Sequence, residues 1–330
     1  MRTLYFLVPG TTGKFVCGGL FAELKTLQLA QQVCDAVVVT YRQQEADTLF
    51  LPDMLQQQKA QDGIFVVSWG FDVPKLIRQL KGQKVLYHAH SAGYGFKVPP
   101  TVPILTVSRN TMGYWGQQCP GSPIYYLPNE ISPEFTNRFA PRDIDVLVQA
   151  RKSSEYLLTQ LVPALQNHCR VVVLDRFVDD LAELFNHTRV YLYDSAEYWA
   201  QYGVSEGFGL PPLEAMACGC QVFASVNGAL ADYLDPAFNC QQVGVYSTSY
   251  DAQRILSAVQ KANPVMLPAE FFAPYREAKL VQRLQHILVS VNDFFEHTEH
   301  SPPDVPPLSP LRLTRLRLQR LGQKIRSKLS

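Results

Sequence analysis

Short runs of β-branched and aromatic residues alternate along most of the chain with segments whose apolar positions recur every three or four residues. The runs predict strands at Leu4–Val8, Ala36–Thr40, Ile64–Val67, Lys84–His88, Ile104–Val107 and Ile124–Leu127. A second series follows at Ile144–Val148, Arg170–Leu174, Val190–Tyr193, Gln221–Ala224 and Gln241–Val245. Between them, segments such as Leu20–Val33 and Glu155–Gln166 carry the helical period. Strands that alternate with helices form parallel sheets covered on both faces, because a parallel crossover needs a helix-length connection. The fold class read from this pattern is α/β, with two Rossmann-like domains. The break between them falls in Pro128–Arg142, which also holds Pro133 and Pro141 and shows no periodicity.

After Pro264 and Pro268, Glu270–Glu296 reads as one or two long helices. Ser301–Pro310 holds five prolines in ten residues and cannot continue a helix, so it is a linker. The last twenty residues mix Leu or Ile with Arg or Lys, and Leu311, Leu318, Leu321, Ile325 and Leu329 fall near one helical face. The predicted units are therefore 1–135, 136–268, closing helices at 269–300, the linker 301–310 and a basic amphipathic tail at 311–330.

Of the 330 residues, 47% are hydrophobic and 18% charged, which supplies buried cores and excludes wholesale disorder. Apolar runs such as Val171–Leu174 and Val37–Val39 fall far short of the ~18 to 20 residues that span a bilayer. Met1–Gly10 reads as a strand entering a loop, whereas a signal peptide has a longer apolar stretch and a small-residue cleavage site. The net charge of +1 hides an asymmetry. Residues 311–330 carry seven basic groups and no acid, which leaves 23 basic and 29 acidic groups elsewhere. The body thus has no basic surplus for a nucleic-acid backbone, and whatever the tail touches is anionic. Seven cysteines without paired spacing argue against a disulfide framework and fit a reducing cytosol. Cys218-Gly219-Cys220 is too tight for a zinc knuckle.

The segment Ser205–Cys220 carries the chemistry. Gly207 and Gly209 let the backbone approach a ligand, and Pro211 and Pro212 preset φ for a first helical turn. Gly219 supplies the left-handed cap that ends the helix. The amino end of this helix points N–H groups and a positive partial charge above the sheet, where a phosphate would sit. Glu206 is expected at the mouth of the loop and Glu214 inside the first turn. A carboxylate accepts paired hydrogen bonds from vicinal hydroxyls, so both suit a sugar or ribose diol. Taken alone, the two would serve equally well as a dipole partner and a surface acid.

The whole string goes further. Glu206, seven residues and Glu214, with Gly207-Phe208-Gly209-Leu210-Pro211 between and Ala215-Met216-Ala217-Cys218-Gly219 after, resembles the E-x7-E signature of family 4 (group 1) glycosyltransferases with the GT-B fold. Other pieces fall in that family's order: Gly18-Gly19 before the first helix, Tyr87-His88-Ala89-His90-Ser91 ending a strand, Val107-Ser108-Arg109, and Leu127-Pro128-Asn129-Glu130-Ile131 at the hinge. The resemblance covers roughly residues 4–260. It implies two parallel-sheeted domains facing each other across a cleft. It also implies a retaining transferase that moves a sugar from a nucleotide-diphosphate donor to a sugar, lipid or glycan acceptor, with no cofactor and no essential metal.

By matched position, Glu206 would contact the transferred sugar and Glu214 the donor ribose. The backbone at Phe208, Gly209 and Leu210 would take the pyrophosphate. Arg151 and Lys152 follow the first strand of the second domain, where the family keeps two cations on the diphosphate. The family's Gly-Arg…Lys-Gly spacing is missing here, and a pair of solvated surface cations is the competing reading. His90 would face the sugar from the first domain, with His88 as its competitor. Gly18 and Gly19 would let the backbone come close to donor and acceptor.

The sequence also departs from the family. Glu130 replaces a usual glycine, Asp232 a frequent glutamate, and an aromatic insert with Tyr198, Trp199 and Tyr202 delays the first glutamate. Asp143-Ile144-Asp145 invites a metal-dependent reading, but it precedes its strand and so lies at the wrong end of the sheet. Pro9–Gly13 lacks the third glycine of a dinucleotide fingerprint. A nucleotide-sugar epimerase or phosphorylase of the same fold, and a non-catalytic sugar- or nucleotide-binding protein, remain as alternatives. The tail is expected to lie on an anionic membrane, placing the protein in the cytoplasm with peripheral contact at the membrane's cytoplasmic face. A disordered basic arm is the competing reading of the tail.

Overall fold

The structure, a computed structural model, describes residues 1–57, 62–176, 178–261 and 267–329. Pro264 lies outside the described residues, as do the side chains of Arg326, Lys328 and Leu329. The chain begins β1 (Leu4–Val8), α1 (Gly18–Gln31), β2 (Ala36–Thr40), β3 (Leu49–Phe50), α2 (Leu51–Gln56) and β4 (Ile64–Val67). It continues α3 (Val73–Gln79), β5 (Lys84–Ala89), β6 (Ile104–Thr106), α4 (Arg109–Gln118) and β7 (Ile124–Tyr126). These strands form an all-parallel sheet ordered β3-β2-β1-β4-β5-β6-β7.

A second series follows: β8 (Ile144–Gln149), α5 (Val162–Gln166), β9 (Val171–Leu174), α6 (Leu181–Asn186) and β10 (Thr188–Tyr193). It ends with α7 (Ala196–Tyr202), α8 (Leu210–Ala217), β11 (Gln221–Ala224), β12 (Cys240–Gln242) and α9 (Thr248–Gln260). Its strands form a second parallel sheet ordered β12-β11-β10-β8-β9. All eleven predicted strands are present, with ends moved by no more than three residues. The two-residue β3 is an addition, too short to show any alternation. Glu155–Gln166 is not a plain α-helix: residues Leu157–Leu161 are π-helical. Pro163, in the first turn of α5, has no N–H for the carbonyl four residues back and its ring crowds that carbonyl.

The chain then crosses back through α10 (Ala269–Phe272) and α11 (Glu277–His300) to end in α12 (Pro310–Leu329). Leu280, Leu284, Ile287, Leu288, Val291 and Phe295 line one face of α11 and pack with Leu4, Phe6, Leu27 and Leu86 of the first sheet's core. Each such burial contributes about 2 kcal/mol, which fixes the closing helix to the first unit. The Arg276 guanidinium donates to the carbonyls of Ile131, Ser132 and Phe135, tying the return crossing to the outward one. By contrast, Leu311, Leu318, Leu321 and Ile325 of α12 are exposed.

The topology positions the site. Strand order turns back between β1 and β4 in one sheet and between β8 and β10 in the other. In open parallel sheets, ligands bind at the carboxyl ends of strands beside such a reversal. After β1 the chain reaches Gly18 and Gly19, after β8 it reaches Arg151 and Lys152, and after β10 it reaches Glu206. His88 and His90 stand at the carboxyl end of β5, one strand from the first reversal.

Candidate active site

The loop between α7 and α8 is clamped against the first unit. Ser205 N–H donates to the Ala92 carbonyl at 2.9 Å, and Ser91 Oγ donates to the Ser205 carbonyl at 2.5 Å. A Cβ on Gly207 would lie 1.5 Å from the His90 carbonyl oxygen, so only glycine allows this approach. The Asp232 carboxylate accepts from the backbone N–H groups of Arg109 (2.5 Å) and Asn110 (3.3 Å), at the positive end of α4.

Glu206 is not at the mouth, as its loop position implied, but buried. Its Oε2 accepts from Tyr193 Oη at 2.7 Å and Trp199 Nε1 at 2.6 Å, while Oε1 lies 3.9 Å from Lys152 Nζ. Burial and the neighbouring carboxylate hold the Tyr193 phenol well above its usual range, so it stays a donor. Lys152 has φ +70°, a left-handed conformation costing about 1 kcal/mol in a residue with a Cβ. Its ammonium sits 4.4 Å from the Trp199 ring centroid and 5.9 Å from that of Tyr198. Lys152 is thus drawn inward, whereas Arg151 is exposed.

Gly209, at φ +78°, is the N-cap of α8. A helix leaves four N–H groups open at this end, and Pro211 and Pro212 lack theirs. Gly209 and Leu210 therefore present the N–H groups that remain for an anion. The Phe208 side chain is buried, with ring centroids 5.7 Å from both Tyr233 and Tyr275, so only its backbone can serve a ligand. Glu214 is the fifth residue of α8 and lies past the first turn, a correction to the expected position. Burial pushes its carboxyl up to about 7, with Lys25 of α1 opposing and Glu134 adding to the rise.

Gly219, at φ +84°, ends α8 as expected: its N–H reaches the Met216 carbonyl and that of Cys220 the Ala215 carbonyl, a Schellman motif. The thiols of Cys218 and Cys220 are pushed by burial up to about 12. Asp143 pairs with Arg170 and His187 at the entry of β8, away from the crevice, as its place before the strand implied.

On the facing side, Glu23 of α1 is fully buried and one oxygen, Oε2, accepts from both His88 Nδ1 and His90 Nε2, each at 2.7 Å. Burial works to raise the Glu23 carboxyl, yet the two histidines bring it down to about 2. Burial lowers His88, with Glu23 opposing, and its Nδ1 is the nitrogen that faces the Glu23 carboxylate. His88 is wholly buried, whereas the His90 side chain is 18% exposed. Ligand atoms of the three lie within 4.8 Å of one another, here joined through protons on a shared oxygen. Gly18 and Gly19 are exposed in the first turn of α1, where an added Cβ meets nothing closer than Cys17 Sγ at 3.8 Å from Gly19.

Sequence reasoning missed Glu23. The signal was present: Leu20, Glu23, Leu27 and Ala30 share one face of α1, and a carboxylate in an apolar stripe needs a partner. Tyr193 was read only as a strand residue.

Residues 151–263 match the sequence model of the family described as glycosyl transferases group 1. No curated protein matches the chain. Among solved structures, a sucrose-phosphate synthase from Thermosynechococcus elongatus superposes with TM-score 0.64 at 14% identity, covering 89% of this chain and 100% of that one. A glycosyltransferase from Rickettsia africae gives 0.60 at 12% identity, covering 91% and 99%. HepE from Anabaena, in complex with UDP, gives 0.57 at 14% identity, covering 88% and 100%. At such identities the shared property is the fold.

Proposed function

We propose, from the premise of a GT-B glycosyltransferase whose residues 151–263 are of the group 1 family, that this crevice transfers a sugar from a nucleotide-diphosphate donor with retention of configuration. The reading is carried by the convergence of Glu206 and Lys152 with the open N–H groups of Gly209 and Leu210 and with Glu214 beyond them. Glu214 holds the ribose diol and Glu206 the sugar hydroxyls. Lys152, with Arg151 and the two N–H groups, takes the charge of the departing diphosphate, so no metal is essential. Fixed cations and dipoles in a site closed to water stabilise such charge far better than they would in bulk solvent. His90 meets the sugar from the facing unit, and the HepE complexes with UDP and UDP-glucose support a donor of this class.

The acceptor is a sugar, lipid or glycan, and α12 favours one presented at a membrane. No described helix is long and apolar enough to cross a membrane. The exposed Leu311, Leu318, Leu321 and Ile325 with cations around them suit contact with an anionic surface, on the cytoplasmic face of the membrane.

Thermal melting against UDP, GDP, ADP and their glucose conjugates, with and without EDTA, tests the donor assignment. A ligand at 100 times its Kd adds about 2.7 kcal/mol. The expected result is a chelator-insensitive shift with one nucleotide that is lost in Glu214→Ala. No shift with any of them overturns the reading. Product analysis checks the reaction: a released sugar phosphate or an altered donor sugar, in place of a glycosylated acceptor, would make the protein a phosphorylase or an epimerase.

A further inference from the structure

We propose that Trp199, carried on the inserted helix α7, is a positioning residue that sets which edge of Glu206 meets the donor sugar. The inference rests on the role given to Glu206 above. A glutamate carboxylate presents two equivalent oxygens, and rotation about its last bond exchanges them. Here the equivalence is broken. Two neutral donors from different elements, Tyr193 on β10 and Trp199 on α7, both bind Oε2, and among the described residues Oε1 has only the Lys152 ammonium 3.9 Å away. Oε1 is therefore the oxygen with capacity for a hydroxyl.

The same indole controls the cation beside it. Its N–H edge holds the glutamate while its face carries Lys152 at 4.4 Å. Helix α7 meets a different neighbour at each end. Ser195 N–H donates to Ser225 Oγ at 3.1 Å, and a Cβ on Gly93 of the first unit would lie 2.7 Å from the Gly203 carbonyl. Trp199 thus reaches Glu206 from a helix that touches both units, and closure against the first unit and the orientation of the carboxylate come together. A carboxylate with one oxygen occupied and the other paired to an ammonium selects a hydroxyl in one place, so Trp199 sharpens the choice among epimeric sugars. It leaves recognition of the nucleotide alone.

The test separates those two parts of the ligand. Trp199→Phe keeps the ring face under Lys152 and removes the N–H. For the nucleotide found by melting, the Kd of the free diphosphate should stay within about twofold, while KM for its sugar conjugate rises about tenfold, the usual cost of one hydrogen bond to a charged group. Preference between the glucose and galactose conjugates should narrow in the same variant. Tyr193→Phe, which removes the other donor to Oε2, should give the same split and serves if the tryptophan variant melts early. Unchanged KM in both variants would reduce Trp199 to packing, and an equal loss for diphosphate and sugar conjugate would make it a support of the nucleotide site. Either result overturns the inference. Absence of diphosphate binding by the unmodified protein instead overturns the transfer reading itself.

Discussion

Glu23 Oε2 and His90 Nε2 stand 2.7 Å apart, and the same oxygen holds His88 Nδ1 at the same distance. A buried carboxylate that accepts from two imidazoles is stable only as the anion, and its carboxyl is brought down to about 2 although burial alone would raise it. The folded value lies below the unfolded one, so this group contributes stability that is complete above pH ~4.5 and lost as pH falls toward 2.

Glu23→Gln should lower stability by about 3 kcal/mol at neutral pH, because it removes the buried anion to which both imidazoles donate and offers them an amide instead. Urea unfolding across pH ~2.5 to 7 checks this. The gap between the unmodified protein and the variant should be constant above pH ~4.5 and shrink below it. A gap that does not depend on pH would mean that Glu23 acts only through packing.

Glu214 has the opposite sign. Burial raises its carboxyl to about 7, so the folded protein holds a proton there that the unfolded chain releases near pH ~4.5. Its contribution to stability is full below pH ~4.5 and declines as pH rises through 7. In the proposed role of Glu214 the ribose hydroxyls donate to the ionised form, so diphosphate affinity should increase about tenfold between pH 6 and 8. Glu214→Gln should be flat over that range in calorimetric titration. A rise that survives in the variant would belong to the phosphate groups.

Gly207 packs its backbone directly against that of His90 in the facing unit. An alanine there would place its Cβ 1.5 Å from the His90 carbonyl, and neither backbone can give way. The closed arrangement of Glu206 and His90 should therefore be lost in Gly207→Ala. Transfer should fall about 100-fold, the penalty of displacing reacting groups by roughly 1 Å. Each unit should keep its melting behaviour, and small-angle scattering should report a larger radius. Unchanged activity would show that the observed closure is not the working state.

The strands and the turn from Gly209 through Gly219 were legible because each depends on local rules: branched runs for strands, proline φ at a helix start, a left-handed glycine at its end. The positions of Glu206 and Glu214 in the chain were legible for the same reason, but their environments were not. Burial of Glu206 depends on Tyr193, 13 residues earlier, and on Trp199 in a segment that no pattern predicted to fold back. The sequence favours His90 over His88 only through its order beside Ser91, since both end one strand, and the depth of each beside Glu23 is not written in that order.

Helix α12 presents an exposed apolar surface. Along its length Leu311, Leu318, Leu321 and Ile325 form one stripe, and Arg315 and Arg317 fall on either side of it, where long side chains can reach a headgroup layer while the leucines enter it. Each cation near an anionic surface adds about 1 kcal/mol, so the seven basic groups of residues 311–330 should make the proposed binding steeply dependent on lipid charge and salt. Sedimentation with vesicles containing phosphatidylserine should bring down the full chain at low salt and release it at high salt. Neutral vesicles should not bind it. Removing residues 308–330 should abolish the binding while donor-dependent melting stays unchanged. Vesicle binding that persists without the tail would assign the membrane contact to the body of the protein, where acids outnumber bases 29 to 23.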